Sequence, residues 1–218
     1  MTPLRRGVAA RMTDALAVPH AYLAMEVDAA GLERLRAGSA VSLTSLVVGA
    51  CAQALLRHPT LNGHWTEAGL LAKRRIDVGI AVATDDGLVV PVVRDAGRLS
   101  IGDLDRVIAA LVARALAGNL RTDDLGGSTF TVDATARPGS NLAMPVINVP
   151  EVAVLAPEEP RKRAVAVETP DGDVIAIRPV MNLVLGIDHR ANDGAGGAAF
   201  LRDVKAWLEA VGPATTID

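Results

Sequence analysis

Val180-Met181-Asn182-Leu183-Val184-Leu185-Gly186-Ile187-Asp188-His189-Arg190-Ala191-Asn192-Asp193-Gly194 is the stretch on which the fold of this chain turns. Val180 to Ile187 is an apolar run that reads as a buried strand. Beyond Gly194, residues Ala198, Leu201, Val204 and Leu208 recur at helical spacing. His189 therefore lies in the turn between a buried strand and the C-terminal helix, where a rigid scaffold can aim a side chain. Histidine suits that place because its ordinary pKa is near neutrality, so it can take and return a proton within one cycle. Asp and Gly are ordinary turn formers, and a lone histidine among them is more often structural than catalytic. Position alone makes His189 a candidate.

Working outward, residues 4–17 read as a short basic helix ending before Val18-Pro19-His20. A strand over 21–28 and a helix over 29–37 follow. Residues 42–57 form a helix apolar on most faces and hence buried, stopped at His58-Pro59 because a proline pushes its predecessor out of the helical region. Residues 76–84 and 88–93 read as two strands around the tight turn Asp85-Asp86-Gly87. Ser100 caps a helix to about Ala117, with Ile101, Leu104, Ile108, Leu111 and Val112 on one stripe. Gly126-Gly127 precedes a strand over 128–132, and the Pro- and Gly-containing stretch from Asp133 to Pro145 reads as a loop. Strands over 152–155, 163–167 and 174–177 complete the pattern, the last two joined at Pro170-Asp171-Gly172. Strands and helices in this order predict a single two-layer α/β (α+β) domain spanning 1–218, with a mixed sheet and flanking helices.

Composition excludes several classes. Half of the 218 residues are hydrophobic but only 2% are aromatic, so the core is built from Ala, Val, Leu and Ile. The formal charge is −3 with both signs interspersed, which argues against a nucleic-acid surface. The single cysteine, Cys51, lies in an apolar run, rules out an internal disulfide and fits a reducing compartment. No signal peptide is apparent behind Arg5-Arg6 and Arg11, and no apolar run is long enough to span a bilayer, so a cytoplasmic protein with no membrane partner is expected. The histidines are scattered and no metal cluster is expected. His58 and His64 flank a helix end and read as solvent-facing, and Lys73-Arg74-Arg75 reads as a solvated loop. Gly194-Ala195-Gly196-Gly197 lacks the lysine of a phosphate-binding loop.

Several blocks together carry a family signature. Arg11-Met12 with Val18-Pro19-His20-Ala21-Tyr22, the hairpin Val78–Thr84 with Asp86–Val92, Gly126–Val132, Pro145-Val146-Ile147-Asn148-Val149-Pro150-Glu151, and His189-Arg190-Ala191-Asn192-Asp193-Gly194 stand in order along the chain. In these the chain resembles the acyltransferase (E2) catalytic domain of 2-oxo acid dehydrogenase complexes, within the chloramphenicol-acetyltransferase-like superfamily. The resemblance implies that fold and a compact homotrimer with active sites at subunit interfaces. It implies His189 as the general base that deprotonates the acceptor, and Asp193 as a residue fixing local geometry through a basic partner such as Arg190 or Arg11. Gly194 supports the same turn, and His20 is a candidate for lining the channel. No cofactor is implied as bound; acyl-CoA, chiefly acetyl-CoA, is the implied cosubstrate.

Three departures shape the expected function. Members of the family carry a Ser or Thr just after the Phe130-Thr131-Val132 strand, whose hydroxyl donates to the developing oxyanion; here Asp133 and Ala134 stand there. An ionised carboxylate only accepts hydrogen bonds, and losing one oxyanion donor costs roughly 10²–10³ in rate in other enzymes. Thr131 and Thr135 flank the position as possible substitutes, with Thr131 on the same face as Asp133 and deeper. No lipoyl or peripheral subunit-binding domain is expected, which points to a free acyl-CoA or an acyl carrier protein as donor and a separate small molecule as acceptor. Acetylation of a hydroxyl in natural-product (tetronate-type) biosynthesis fits such a relative. Finally, Pro213 and the lone Ile217 in the tail suggest an isolated trimer without the leucine-rich knob that locks trimers into shells. Two alternatives stay open: elimination, hydrolysis or cyclisation by a His189–Asp133 pair, or a non-catalytic scaffold that kept the fold.

Overall fold

Residues Val174–Asp188 do not break into two strands but form one 15-residue strand, β11, in the computed structural model, which describes residues 3–135, 140, 142–212, 215 and 217. The gap between the strands expected over 174–177 and 180–187 holds Pro179, which cannot donate to a ladder. It is tolerated because Pro179 pairs only with Lys162, on one edge of the strand. From Leu183 to Ile187 β11 is paired on both sides, with β1 and β9, and it is buried from Leu183 to Asp188.

The elements in chain order are α1 (Pro3–Ala15), β1 (His20–Asp28), α2 (Ala30–Gly38), α3 (Leu43–Leu55), β2 (Gly63–Thr66), β3 (Gly69–Ala72), β4 (Val78–Ile80), β5 (Val82–Thr84), β6 (Gly87–Val89), β7 (Val92–Val93), α4 (Ile101–Leu116), β8 (Phe130–Val132), β9 (Ala153–Pro157), β10 (Arg161–Val167), β11 and α5 (Gly194–Ala210). The main sheet runs β1-β11-β9-β8-β4-β7, with β10 paired to the outer half of β11. β11 is antiparallel to β1, β9 and β10, whereas β8 is parallel to β9 and β4, so the sheet is mixed as predicted. Helices α2, α3, α4 and α5 join the sheet in one apolar core. With so few aromatics, Phe130 of the sheet and Phe200 of α5 are its largest fully buried side chains, their ring centroids 5.6 Å apart.

Two features escaped the sequence. The β2–β3 hairpin is short and of mixed polarity, which gives no clear alternation. Residues 76–84 also divide: β4 joins the main sheet beside β8, while β5 leaves it to form a separate hairpin with β6. Asp85-Asp86-Gly87 makes the expected turn between them. Cys51 is fully buried, and burial pushes its thiol far above the usual range, so it is a packed core residue. No helix of the described residues is long and apolar enough to cross a membrane, and none of those residues form a metal-holding cluster. At the C-terminus, the backbone N–H of Gly102 donates to the carbonyl of Ile217 at 2.6 Å, and the Ile217 side chain packs on the core. Pro213, on which the expected helix stop rested, lies outside the described residues; α5 ends at Ala210.

Candidate active site

The turn after β11 is organised by Asp188. Its carbonyl accepts the N–H groups of Ala191 and Asn192, and its Oδ1 accepts the N–H of Arg190. The Arg190 guanidinium returns onto the same carboxylate, with Nη2 2.6 Å from Oδ2 and Nε 2.9 Å from Oδ1. Asp188 is wholly buried, so this two-armed contact is what balances its charge. Arg190 also lies over the Trp65 ring, its Cζ 4.7 Å from the centroid. His189 itself is exposed, and its N–H donates to the Pro19 carbonyl at 3.0 Å. An exposed imidazole is thus carried on a backbone held from both sides.

Asp193 does not take the expected basic partner. It is the N-cap of α5, its Oδ1 accepting the Gly196 N–H at 2.8 Å, because a carboxylate there answers both the unpaired N–H groups and the positive end of the helix dipole. Arg190 is engaged by Asp188, and Arg11 donates to Asn148 Oδ1 at 3.1 Å. Asp193→Ala is expected to cost about 1 kcal/mol of stability, and Asp193→Asn a few tenths, by urea denaturation. Gly194 opens α5 with empty space where a Cβ would stand, so sterics do not demand a glycine.

A cavity of about 560 Å³ lies beside β8 and the segment leading into β9. Its walls are mainly apolar, from Val8 and Met12 of α1, Leu88 and Val89 of β6, and Val146 and Val154. The polar side is built on Glu151, 1% exposed. Oε1 of Glu151 accepts from Ser128 Oγ at 2.5 Å and Asn148 Nδ2 at 2.8 Å, and Oε2 accepts from Thr131 Oγ1 at 2.7 Å. His64 Nε2 meets the Ser128 carbonyl at 2.7 Å, and Arg11 closes the cluster through Asn148. Burial pushes the Glu151 carboxyl up to about 7 against the lowering effect of those donors.

The loop leading into this wall needs its two glycines: Gly126 and Gly127 both have φ of +71°, the left-handed region. Arg94 donates to the carbonyls of Asp123 and Gly126, and Arg114 binds the Asp124 carboxylate, holding it far below the usual range. Gly79 is required for a different reason. A Cβ there would stand 2.7 Å from Val90 Cγ1 and 2.9 Å from Thr131 Oγ1.

Asp133 and Thr131 line the cavity together, on one face and with Thr131 the more buried, as the strand period predicts. Neither threonine is placed as a ready oxyanion donor, however. Thr131 gives its proton to Glu151, and Thr135 Oγ1 gives its own to Asp133 Oδ1 at 2.6 Å. His20 is a structural tie: Nε2 accepts the Ile147 N–H and Nδ1 meets the Val18 carbonyl, so both ring nitrogens serve the backbone. His58, expected in solvent, is bound at 2.7 Å to Asp203 and packed edge-on against Phe200, and His64 turns into the cavity wall. Arg75 is held by Asp77 at 2.8 Å.

His189 is not part of the cavity wall. The N–H of Asp188 bonds to Val152 of the β9 approach, while that of Asp133 bonds to Leu155. Three residues at about 3.3 Å each, and two strand spacings of about 4.8 Å, separate their levels in the sheet. Within one chain the two groups are not in contact, so a His189–Asp133 base and acid pair is not built into a single protomer.

Residues 1–215 match the family model described as 2-oxoacid dehydrogenases acyltransferase (catalytic domain). The chain belongs to this acyltransferase family. It is 35% identical over 228 residues to the lipoamide acyltransferase component of the branched-chain alpha-keto acid dehydrogenase complex of Bacillus subtilis, covering 100% of this chain and 53% of that protein. The chain thus spans about half the length of that curated relative. Among solved structures, a probable dihydrolipoamide acetyltransferase from Listeria monocytogenes superposes with a TM-score of 0.93 at 34% identity, covering 100% of this chain and 97% of that one. The dihydrolipoamide acetyltransferase of Azotobacter vinelandii, studied for the role of a serine, a histidine and an asparagine in its catalytic mechanism, gives a TM-score of 0.88 at 28% identity, covering 97% and 90% of the two chains. Chloramphenicol acetyltransferase shares the fold, with a TM-score of 0.56 at 15% identity.

In this acyltransferase-family chain, sequence reasoning named Thr131 but missed Glu151, to which it is bonded, together with Ser128 and Asn148. The available signal was an acidic residue wedged between Pro150 and the apolar run Val152–Leu155. Because the folded protein holds the Glu151 proton more tightly than the unfolded chain, its contribution to stability is greatest at low pH. That contribution fades as pH rises from about 4.5 through about 7. Urea denaturation at pH 5 and pH 8 is expected to show wild type losing on the order of 2 kcal/mol relative to Glu151→Gln between those points.

Proposed function

We propose that the protein transfers an acyl group, acetyl or a small branched acyl, from a CoA or carrier thioester to a hydroxyl or thiol of a small molecule, with His189 as general base. The observation that carries this is an exposed His189 on a backbone anchored by Pro19, Asp188 and Arg190, at the end of a fully buried strand. In the reaction, His189 removes the acceptor's proton and the acceptor oxygen or sulfur attacks the thioester carbonyl. The tetrahedral intermediate then collapses, the C–S bond breaks, and the thiolate leaves with the proton returned by the imidazolium. The relatives are lipoamide and dihydrolipoyllysine-residue acyltransferases, so dihydrolipoamide belongs in the acceptor panel. The Azotobacter histidine and asparagine are four residues apart, as are His189 and Asp193 here.

The acceptor body occupies the cavity beside Asp133, and His189 reaches it from a neighbouring protomer. Their separation within one chain supports this assembly, and a homotrimer supplies it. The Ile217 side chain, packed on its own chain's core, supports a trimer not locked into a larger shell. Light scattering after size-exclusion chromatography should return about 68 kDa for three chains of 22.6 kDa. The decisive assay follows release of free CoA thiol from acetyl-CoA and isobutyryl-CoA with dihydrolipoamide, short alcohols or no acceptor. Acceptor-dependent release is expected; release that ignores the acceptor would make the protein a hydrolase, and none with any acceptor would refute the proposal.

A further inference from the structure

The hydrogen bond that His189 makes among the described residues runs through its backbone to Pro19, so the imidazole stands where its turn puts it. Two residues after it in that turn are tied to one neighbouring segment. Arg190 Cζ lies 4.7 Å from the centroid of the Trp65 ring, and Asn192 Nδ2 donates to the Thr60 carbonyl at 3.0 Å. The segment is itself fixed from behind. The Trp65 N–H donates to the Pro150 carbonyl at 2.8 Å, and His64 bonds the Ser128 carbonyl at 2.7 Å. Successive residues of a strand face opposite ways, so β2 turns His64 to the cavity wall and Trp65 to the His189 turn.

We propose that Trp65 is a positioning residue for His189, acting through Arg190. Asp188 holds the guanidinium by Nε and Nη2, and the aromatic ring of Trp65 holds the same group by cation–π attraction. The ring also keeps water from part of a side chain that is 35% exposed, which strengthens the attraction between Arg190 and the buried Asp188 carboxylate. Arg190 and Asp188 are the two chain neighbours of His189, so loosening their pair loosens the backbone that carries the imidazole. The inference rests on reading His189 as the general base and names what keeps that base in place. A base works only within hydrogen-bond reach of the proton it takes, and a displacement of about 1 Å can cost on the order of 10²-fold in rate. Trp65 exerts this effect without touching substrate.

The test separates the aromatic face from mere bulk. Trp65→Leu keeps an apolar side chain and loses the face, whereas Trp65→Phe keeps a face. With acetyl-CoA and dihydrolipoamide, Trp65→Leu is expected to lower kcat about tenfold and to leave KM for acetyl-CoA within about twofold of wild type. Trp65→Phe should stay within about threefold of wild type in kcat. Placed in a His189→Ala background, Trp65→Leu should change the imidazole-restored rate by less than about twofold, because a base supplied from solution is not held by the turn. A tenfold loss there means that Trp65 acts apart from His189 and overturns the proposal. So does a loss carried by KM, or a Phe variant as slow as the Leu variant. One readout needs no turnover: the N–H groups of Ala191 and Asn192, which donate to the Asp188 carbonyl, should exchange with solvent about fivefold faster or more in Trp65→Leu and not in Trp65→Phe. Unchanged exchange also overturns the proposal. If Trp65→Leu does not fold, Arg190→Lys takes its place, since it keeps a charge beside Asp188 and loses the flat stack, and the same outcomes apply. A His189→Ala protein as fast as wild type overturns the base reading together with this proposal, whereas every outcome above overturns this proposal alone.

Discussion

Replacing His189 with alanine is expected to lower the rate of acyl transfer by about 10³-fold, within the 10²–10⁴ that a positioned general base contributes. The loss falls on kcat, because the imidazole meets the acceptor's proton as it is transferred and adds little to binding of the thioester. The fold should be untouched. His189 is exposed, and the hydrogen bond it makes among the described residues is the backbone N–H donated to Pro19, which alanine keeps. Melting temperatures of the two proteins should agree within a degree or two. Added imidazole should restore part of the rate to the variant and none to wild type. A variant that keeps more than a tenth of the wild-type rate with an unchanged melting temperature would remove His189 from the chemistry and favour the scaffold alternative.

Much of this site was open to sequence reasoning because its local parts obey short-range rules. The period of two along Phe130–Asp133 places Thr131 and Asp133 on one face, and the apolar run before Asp188 with the helical spacing after Gly194 frames His189. The cap at Asp193 was within reach of the same rules, since an Asp ahead of a helix most often serves its own N–H groups; the expectation of a basic partner came from resemblance and overrode it. What stayed hidden is long-range. Glu151 draws two of its three donors from residues 20 and 23 positions away, and Arg11 reaches Asn148 across 137 positions. No periodicity in one sequence encodes such pairings. The gap left between the strands expected over 174–177 and 180–187 closes for a related reason, since the cost of Pro179 depends on which neighbouring strand lies beside it, a property of the sheet and not of the residue.

The pair Asp188–Arg190 carries the largest structural prediction. Asp188 has no exposure, whereas the Arg190 side chain keeps 35% of its own. Removing one partner of a buried ion pair is costly because the other is left charged and unsolvated, and here the two partners are unequal in that respect. Arg190→Ala strands a carboxylate that water does not reach, and is expected to cost about 3–5 kcal/mol by urea denaturation. Asp188→Asn is milder, about 1–2 kcal/mol, because the released guanidinium can rehydrate while the amide oxygen still accepts the Arg190 N–H that shapes the turn. Introducing both changes together, Asp188→Asn with Arg190→Ala, should therefore be less destabilising than Arg190→Ala alone. That inversion distinguishes a stranded charge from lost packing. If the double variant is instead the least stable of the three, the guanidinium acts chiefly through its stack on Trp65, and Trp65→Leu should then cost as much as Arg190→Ala.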